Sequence, residues 1–508
     1  RTGNFDDHLH LIGDADWICE VIIERMDIKQ QMMERIESHR SPGSIVSSNT
    51  SGLPITDIAQ GRSDEFRAHF LGTHFFNPPR YMKLLELIPT KDTNTSVRNT
   101  MKAFLEKTLG KGVVICKDTP NFIANRIGIF SIASIMPHFF NGRFRAEEID
   151  LLTGTLTGYS KAATFRTADM AGLDVTAHVA RNLIPNIKDD ERQEVFILPD
   201  AFGKMVESGK IGNKAGAGFY KKARTDKGTE YLVLNPESME YESQQKVEHP
   251  TIAEAKKIRN TAERLKFLVQ QDDEIGNFVW EVQRDLLLYA ANRIPEISDE
   301  TIAIDRAMKW GFNWEMGPFE RWDALGAAYV MERLEKEGFE LPAIIKDIRF
   351  DNPDHFYGRE GTYYSHPLNT FEKLPPEADG QLTIDREKKP VYKTESASLH
   401  DLGEGVALFE FTTKSATLGF ELVESLMHSL ELAEKDFDAL VLSHEGDHFA
   451  YGANLMEALE AKKSGEWSRV ELAVNNFQQA ALALRYSGIP VVAAPFGRTL
   501  GGGCEFVL

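Results

Sequence analysis

The first 116 residues alternate between β-rich runs and amphipathic helical runs, and this alternation constrains the fold most strongly. The β-rich ADWICEVII is followed by the helical DIKQQMMERIESH and by a second strand, GSIVSSNTS, which ends in small polar residues. Further strands are expected near residues 70–76, in KLLELIP and in GVVIC, with a helix near 95–109. Strands that alternate with helices form parallel α/β sheets, whose ligands bind beyond the carboxyl ends of the strands. We therefore expect a site near SNTS.

After KDTP at residues 117–120 the pattern changes to long helices, and an internal repeat becomes visible. The dipeptide ID at 149–150 recurs at 304–305, and each copy is followed by Phe, Asp and Gly with the same Phe-to-Asp and Asp-to-Gly spacings. These residues are Phe165, Asp169 and Gly172 in the first copy, and Phe319, Asp323 and Gly326 in the second. Two copies about a domain apart indicate duplication of one helical unit.

A polar segment near residue 385 divides the rest of the chain. It is rich in Pro, Lys and Glu and poor in apolar residues, which is typical of a linker. Strand-like alternation then resumes at GVALFEF. At 508 residues the chain is too long for one core. We predict a parallel α/β domain at 1–117, two helical domains at 118–225 and 226–372, the linker at 373–398 and a second α/β domain at 399–508.

Charge and cysteine content exclude several classes of protein. The formal net charge of −19 argues against a nucleic-acid partner, because Lys and Arg are what bind phosphate backbones. The scattered Cys19, Cys116 and Cys504 form neither a disulfide framework nor a metal-binding series, which is typical of a reducing compartment. We therefore expect a cytoplasmic protein. The most apolar stretch, IGIFSIASIMPHFF, is too short to span a membrane.

The segment GTHFFNPPRYMKLLELIP, residues 72–89, places His74 and Glu86 in a strongly apolar setting. A buried charge is costly unless it is paired. These two residues therefore either satisfy each other as a structural pair or form a general base and the carboxylate that orients it. Histidine is the natural general base at neutral pH, and a carboxylate on its second nitrogen fixes tautomer and orientation. Spacing alone leaves both readings open.

The motifs around this pair resemble those of a known family. The order SNTS, HFFNP, a glutamate and KDTPNFIANR is similar to that of the 3-hydroxyacyl-CoA dehydrogenase family over residues 10 to 130. KAATFRTADMAGLD and GNKAGAGFYKK match signatures of its helical C-terminal domain. The resemblance implies an α/β chain with a partial Rossmann domain, two all-helical dehydrogenase C-terminal-type domains and NAD as cofactor.

The resemblance also implies roles for catalytic residues by position. His74 would take the proton of the 3-hydroxyl group, and Glu86 would orient its ring. Ser51 and Asn125 would hydrogen-bond the oxygen atoms of the substrate. Alternatively, Ser51 is a strand-end turn residue and Asn125 a helix-start residue.

Cofactor contacts follow in the same way. Glu24 and Lys29 match family positions near the nicotinamide ribose and the mouth of the pocket, and Ser51 and Asn77 match further cofactor contacts. Without the resemblance, Glu24 and Lys29 would be interpreted as part of a solvated helix face.

One expected motif is missing from the first domain. A dinucleotide site needs G-x-G-x-x-G after its first strand, because only glycine lets the pyrophosphate approach the backbone N–H groups, and no such pattern precedes residue 10. GNKAGAGF at 212–219 follows a helical region, and we expect it to be a turn. The chain opens at Arg1 and closes inside the apolar LGGGCEFVL. We therefore expect a fragment whose glycine loop lies upstream, and expect it to bind NAD poorly alone.

The second helical copy contains WEMGPFERWDALG, the form that the family shows where it has a single copy. The duplicated arrangement resembles the dehydrogenase tail of fused fatty-acid oxidation proteins. We expect a structural role for the second copy, either in packing or in contact with a second copy of the chain.

The C-terminal part contains a motif typical of zinc proteases, HEGDH at 444–448. It follows the strand ALVLS directly and contains a Gly-Asp pair, so we predict a loop and no metal site. FAYGANL and GRTLGGGCE instead resemble the two turns of the crotonase (enoyl-CoA hydratase/isomerase) family, which would make this a partial crotonase-like domain. The N–H groups of Ala453 and Gly502 would then form an oxyanion hole, with Glu505 as one catalytic carboxylate. The second glutamate of that family would fall beyond the last residue.

The leading hypothesis is a fused fatty-acid β-oxidation enzyme that oxidises (S)-3-hydroxyacyl-CoA with NAD⁺ and carries an enoyl-CoA hydratase-like module. Its expected partners are acyl-CoA thioesters, a second copy of the chain and a thiolase. Two alternatives stay open: a related Rossmann dehydrogenase of another 3-hydroxy acid, and a non-catalytic acyl-CoA-binding scaffold.

Overall fold

The computed structural model describes residues 2–225, 228–351, 355–358, 361–375, 384, 388–446 and 448–508. These residues form two compact units, Arg1–Asp379 and Gly380–Leu508. No helix among the described residues has the length and apolar content that crossing a membrane requires.

The first unit begins with a five-stranded sheet whose strands lie in chain order. The strands are β1 (Trp17–Glu20), β2 (Ile45–Ser48), β3 (Phe70–Phe75), β4 (Leu84–Pro89) and β5 (Gly112–Ile115). The connecting helices are α1 (Met26–His39), α2 (Ile55–Ile58), α3 (Asp64–Ala68) and α4 (Thr95–Lys107). Helix α1 buries Met32, Met33 and Ile36, and α4 buries Val97, Met101 and Leu105, which are the spacings of one helical face. This α/β sheet confirms the predicted alternation.

One pair of strands departs from the predicted parallel arrangement. Strands β1, β2 and β3 are mutually parallel, and so are β4 and β5, but β3 and β4 are antiparallel. The connection from Phe75 to Leu84 is too short for the crossover that parallel neighbours need. The antiparallel register sets His74 directly opposite Glu86.

The rest of the first unit is mainly helical. The helices of the first half are α5 (Ala124–Phe140), α6 (Ala146–Leu152), α7 (Phe165–Ala171), α8 (Leu173–Leu183) and α9 (Asp200–Glu207). Those of the second half are α10 (Pro250–Ala255), α11 (Thr261–Val269), α12 (Glu274–Asn292), α13 (Thr301–Phe312), α14 (Pro318–Leu325), α15 (Ala327–Lys336) and α16 (Ala343–Asp351). One continuous apolar core joins these helices to the first sheet.

Both copies are mainly helical, as predicted, but each half also ends in a small three-stranded antiparallel sheet that was not expected. The strands are β6 (Tyr220–Thr225), β7 (Gly228–Leu234) and β8 (Tyr241–Ser243) in the first half, and β9 (Tyr357–Gly358), β10 (Thr362–Ser365) and β11 (Thr370–Lys373) in the second. These strands are short and rich in polar residues, so they lack the apolar alternation that predicts a strand.

The internal repeat is visible in the hydrogen bonds of the two halves. Asp150 accepts hydrogen bonds from the N–H groups that begin α7 and from the Tyr220 hydroxyl (2.9 Å). Asp305 accepts from the N–H groups of α14 in the same way and from the Tyr357 hydroxyl (2.7 Å). This correspondence confirms the predicted duplication.

A second aspartate of each copy holds the backbone ahead of that tyrosine. Asp169 accepts from the N–H groups of Phe219 and Tyr220, both at 2.9 Å. Asp323 accepts from the N–H groups of Phe356 (2.8 Å) and Tyr357 (2.9 Å). Each aspartate pair therefore ties its helices to its small sheet.

The second unit is an α/β domain with its own apolar core. Its main sheet has the order β12 (Tyr392–Lys393), β13 (Ala397–Gly403), β14 (Val406–Phe411), β16 (Ala439–Ser443) and β18 (Val491–Ala493). A separate parallel pair consists of β15 (Thr417–Leu418) and β17 (Gly452–Ala453), and the helices are α17 (Phe420–Asp436), α18 (Leu455–Ser464), α19 (Trp467–Arg485) and α20 (Gly502–Val507).

The predicted linker at 373–398 overlaps this second unit. Residues 376–383 and 385–387 lie outside the described residues, and β12 and the start of β13 already belong to the main sheet. These strands were not predicted because the segment is polar. A short strand at the edge of a sheet, such as β12, does not need an apolar sequence.

Candidate active sites

His74 and Glu86 form a buried hydrogen-bonded pair across β3 and β4. His74 is 4% exposed and Glu86 is 0% exposed, and the distance from His74 Nδ1 to Glu86 Oε2 is 2.7 Å. In the imidazole tautomer that donates Nδ1–H to this carboxylate, Nε2 keeps its lone pair. This is the arrangement of a general base held by an orienting carboxylate.

The second oxygen of Glu86 accepts hydrogen bonds from the start of helix α5. Oε1 receives the N–H groups of Ile123 (3.1 Å) and Ala124 (2.8 Å). The positive end of the helix dipole and two N–H donors compensate the buried negative charge. Glu86 is therefore fixed on both sides, by a helix terminus and by the His74 ring.

Ser51 and Asn125 lie beside each other although they are far apart in the sequence. Ser51 follows β2, Asn125 lies in the first turn of α5, and the Asn125 Nδ2 group donates to the Ser51 carbonyl at 3.3 Å. Ser51 is exposed and Asn125 is partly exposed, so both can reach a ligand. The start of α5 thus contacts both the loop after β2 and the Glu86 carboxylate.

Glu24 and Lys29 do not form a solvated helix face. The Lys29 side chain is 1% exposed, and its Nζ donates to Glu20 Oε1 at 2.8 Å and lies 3.4 Å from Glu24 Oε2. Glu24 is one-third exposed and accepts from the Thr50 hydroxyl (2.6 Å) and the Ser51 N–H (2.9 Å). Lys29 therefore holds Glu24 against the loop that carries Ser51.

Sequence reasoning missed Glu20, which is 4% exposed at the end of β1. Besides Lys29, its carboxylate accepts from the Ser48 hydroxyl (2.5 Å) and the Ile22 N–H (2.6 Å). Its position at the carboxyl end of a strand, five residues after the apolar run begins, is the only sequence signal that marks it. The predicted cofactor contact Asn77 lies exposed in the turn after β3.

These groups fit the nicotinamide-ribose end of NAD. The partly exposed Glu24 carboxylate and the exposed Ser51 and Asn77 follow the carboxyl ends of β1, β2 and β3, where a parallel sheet binds its ligands. GNKAGAGF forms a turn between α9 and β6, as predicted, and the added Cβ atom of any other residue at Gly218 would clash with the Asp169 carboxylate. That turn belongs to the first helical copy, and it is not a phosphate-binding loop.

In the second unit, the predicted oxyanion-hole residues line one cavity. Ala453 on β17, Gly502 at the start of α20 and Glu505 contribute to the wall of a cavity of about 710 Å³. Asn454, which departs from the aspartate common in that family, caps α18 by accepting from the Met456 N–H at 3.2 Å. The two glycine-rich turns are therefore juxtaposed as expected.

The HEGDH segment is a loop after β16, as predicted, with residue 447 outside the described part. His444 Nε2 lies 3.1 Å from the Phe449 carbonyl oxygen, and His448 Nδ1 accepts from the Arg498 N–H at 3.1 Å. Both histidines thus have partners in the protein, and the described residues contain no cluster of His, Cys, Asp and Glu that could hold a metal ion.

Comparison with protein-family models gives three matches. Residues 1–119 match the NAD-binding domain of 3-hydroxyacyl-CoA dehydrogenase, and residues 122–222 match the C-terminal domain of the same family. Residues 402–508 match the enoyl-CoA hydratase/isomerase family.

Individual relatives agree with these matches. A "Probable 3-hydroxyacyl-CoA dehydrogenase" of Bacillus subtilis is 43% identical over all of this chain and 64% of its own length. A "Putative fatty acid oxidation complex trifunctional enzyme" of Rickettsia felis is 30% identical over all of this chain and 66% of its own length. A "Probable 3-hydroxyacyl-CoA dehydrogenase" of Caenorhabditis elegans is 35% identical over 41% of this chain and 68% of its own length. The chain thus spans just under two thirds of the first two relatives.

Proposed function

The chain belongs to the 3-hydroxyacyl-CoA dehydrogenase family, and we propose that its protein oxidises (S)-3-hydroxyacyl-CoA to 3-oxoacyl-CoA with NAD⁺ in fatty-acid β-oxidation. The observation that carries this proposal is the buried His74–Glu86 pair, whose carboxylate also accepts from the N–H group of Ala124, the residue before Asn125. That geometry favours the catalytic interpretation over a purely structural pair.

In the proposed mechanism, His74 Nε2 accepts the proton of the 3-hydroxyl group while C3 loses a hydride and becomes a carbonyl carbon. Glu86 keeps the imidazole in the reactive tautomer and stabilises the imidazolium that forms. The Ser51 hydroxyl and the Asn125 amide hydrogen-bond the oxygen atoms of the substrate and so align C3. When bound, NAD⁺ supplies the acceptor of the hydride.

We assign the nicotinamide-ribose contacts to Glu24, Ser51 and Asn77. Lys29 belongs to the same group, but its ammonium is buried between Glu20 and Glu24. Its contribution in this proposal is to hold the Glu24 carboxylate and, through it, the Ser51 loop.

For the second unit we propose enoyl-CoA hydratase-type chemistry. The N–H groups of Ala453 and Gly502 would stabilise the enolate oxygen of a thioester, and Glu505 would act as an acid or base. Hydration of an enoyl-CoA yields the hydroxyacyl-CoA that the dehydrogenase uses, and tethering both modules raises its local concentration.

We further propose that the protein is cytoplasmic, that it forms a homo-oligomer and that it acts together with a thiolase. Three free cysteines are compatible with a reducing compartment. A thiolase is the partner whose chemistry consumes a 3-oxoacyl-CoA product.

In the test, the full-length protein is incubated with NADH and acetoacetyl-CoA and, in a separate assay, with NADH and free acetoacetate. The absorbance of the reduced nicotinamide is followed in both assays. Turnover of the thioester alone supports the proposal. Turnover of the free acid alone would instead favour a dehydrogenase of another 3-hydroxy acid. Binding of acyl-CoA without any turnover would favour a scaffold.

A further inference from the structure

The segment Lys117–Arg126 links the first sheet to α5 and carries several groups of the candidate dehydrogenase site. It supplies the two N–H groups that fix Glu86, and it contains Asn125. Asn121 and Phe122 have φ values of 62° and 51°, which lie in the left-handed region that L-residues seldom adopt. A backbone of this kind persists only where surrounding contacts determine it.

Arg126, the residue after Asn125, anchors this segment to the second helical copy. Its side chain is 0% exposed, its Nε donates to the Tyr289 hydroxyl at 2.6 Å, and its Nη2 donates to Glu296 Oε1 at 3.1 Å. Tyr289 lies on α12 and Glu296 lies just beyond its end. Arg126 also donates to Asp190 Oδ2 at 2.6 Å.

A second guanidinium, that of Arg293, contacts the same carboxylates as Arg126. Arg293 Nη1 lies 2.8 Å from Asp190 Oδ2 and 2.8 Å from Glu296 Oε2, and the Tyr289 hydroxyl donates to Asp190 at 2.8 Å. We call Arg126, Asp190, Tyr289, Arg293 and Glu296 the clasp. Both guanidiniums are buried and share the carboxylates of Asp190 and Glu296, and Arg293 also pairs with Glu191.

The same stretch of the second copy holds the other end of the segment. Lys117 Nζ donates to the Pro295 carbonyl and to Asp299 Oδ1, both at 2.6 Å, and the Lys117 N–H donates to the Ile297 carbonyl at 3.3 Å. Residues 293–299 therefore contact the segment before and after its two left-handed residues.

We propose that the second helical copy positions the dehydrogenase site, and that Tyr289 and Glu296 are positioning residues that act through Arg126. This inference rests on the proposed function. Arg126 sets the first turn of α5, the N–H groups of that turn fix Glu86, and Glu86 orients His74. A displacement of about 1 Å in such a chain can cost about 10²-fold in rate. The second copy would then contribute to catalysis and not to packing alone.

A matched control joins the same two helices at a different place. Glu281 on α12 pairs with Arg143 just after α5 at 2.6 Å, with both side chains about one-third exposed. This ion pair also joins the two copies, but it lies at the end of α5 remote from Ala124. Loss of this pair should weaken packing without moving the candidate site.

The experiment compares Glu296→Gln, Tyr289→Phe and the control Glu281→Gln in the full-length protein. Tyr289→Phe keeps the ring that stacks on Phe130 with a centroid distance of 3.7 Å. We expect both clasp variants to lower kcat by about tenfold or more while each KM changes by less than about threefold, because orientation of the base is lost and ground-state binding is kept. Glu281→Gln should keep the wild-type kcat.

Hydrogen exchange supplies a readout that does not depend on activity. The amides of Ile123 and Ala124 should exchange faster in Glu296→Gln, whereas Glu281→Gln should leave them unchanged. Equal kcat in the clasp variants and the control would overturn the inference, and so would faster exchange without loss of kcat. An inactive wild-type protein would refute the proposed function instead, while the exchange data would still show whether the clasp holds the segment.

Discussion

At the scale of single residues, the candidate site depends on buried charges that are paired on more than one side. Glu86 receives His74 Nδ1–H on one oxygen and two backbone N–H groups on the other. Glu20 receives Lys29, a hydroxyl and a backbone N–H group. Each carboxylate is therefore held in one orientation, which a catalytic site requires.

The substitution Glu86→Gln tests the orienting role. An amide N–H group facing His74 would donate to Nδ1, which moves the ring proton to Nε2 and removes the lone pair that accepts the substrate proton. We expect kcat to fall by about 10³-fold. Steady-state kinetics of the full-length protein measure this effect, with a thermal melt as the control for folding. A rate within about tenfold of wild type would contradict the orienting role.

The substitution Lys29→Met tests the buried pair with Glu20. It leaves the Glu20 carboxylate buried without its cation, so we expect a loss of about 3–5 kcal/mol in the free energy of unfolding. The double variant Lys29→Met with Glu20→Gln should recover most of that loss, because it removes both charges. Urea unfolding measures both, and a double variant as unstable as the single one would argue against the ion pair.

Many residues of the candidate site could be predicted from the sequence, but the residues that they contact could not. The motif order predicted His74, Glu86, Ser51 and Asn125; in the structure His74 pairs with Glu86, Asn125 donates to Ser51, and the N–H group of Ala124 links the two pairs. The clasp partners of Arg126 lie 64 to 170 residues away in the chain, so no local pattern predicts them. The Asn-Arg ending of KDTPNFIANR was the only available signal.

At the scale of elements, the duplicated helical unit relies on buried aspartates. Burial raises the pKa of Asp150 to about 7 and that of Asp169 to about 6 in the first copy, although N–H and hydroxyl donors oppose the effect. Burial likewise raises the pKa of Asp323 to about 7 in the second copy. Both copies thus bind protons more tightly when folded.

These shifts predict how stability depends on pH. A carboxyl group whose pKa is higher in the folded state contributes stability that is complete below its unfolded pKa near 4 and is lost as the pH rises through its folded pKa near 7. The stability that each such group contributes should therefore fall between about pH 4 and pH 7, by at most ~1.4 kcal/mol per pH unit. In Asp323→Asn this slope should be shallower. Melting temperatures from pH 5 to 8 measure it, and identical slopes in both proteins would contradict the buried-aspartate account.

The repeat itself was predictable, because the Phe, Asp and Gly spacings recur in the sequence. The aspartates proved to be the residues that join helices to small sheets. The small sheets were not predictable, since strands such as YKKART carry too many charges to show apolar alternation. The antiparallel turn of β3 into β4 was missed because the run of strands and helices favoured a parallel sheet.

At the scale of the whole molecule, the chain consists of two units with separate apolar cores. The candidate dehydrogenase residues all lie in the first unit, and the candidate hydratase residues lie in the second. Because the two candidate sites belong to separate cores, a substitution that removes one activity should leave the other unchanged.

The substitution Glu505→Gln tests this independence in the full-length protein. We expect hydration of crotonyl-CoA to fall by about 10²-fold or more, because an acid–base group is lost, while oxidation of 3-hydroxybutyryl-CoA stays at the wild-type rate. Loss of the absorbance of the conjugated enoyl thioester measures hydration, and formation of NADH measures oxidation. A parallel decline of both rates would argue against separate sites.

The most direct test of the central claim is the rate of NADH oxidation by acetoacetyl-CoA in the full-length protein carrying His74→Ala. If His74 exchanges the proton at the C3 oxygen, the rate should fall by at least about 10²-fold while folding and CoA binding are kept. A folded variant that turns over at the wild-type rate would contradict the assignment of His74 as the base.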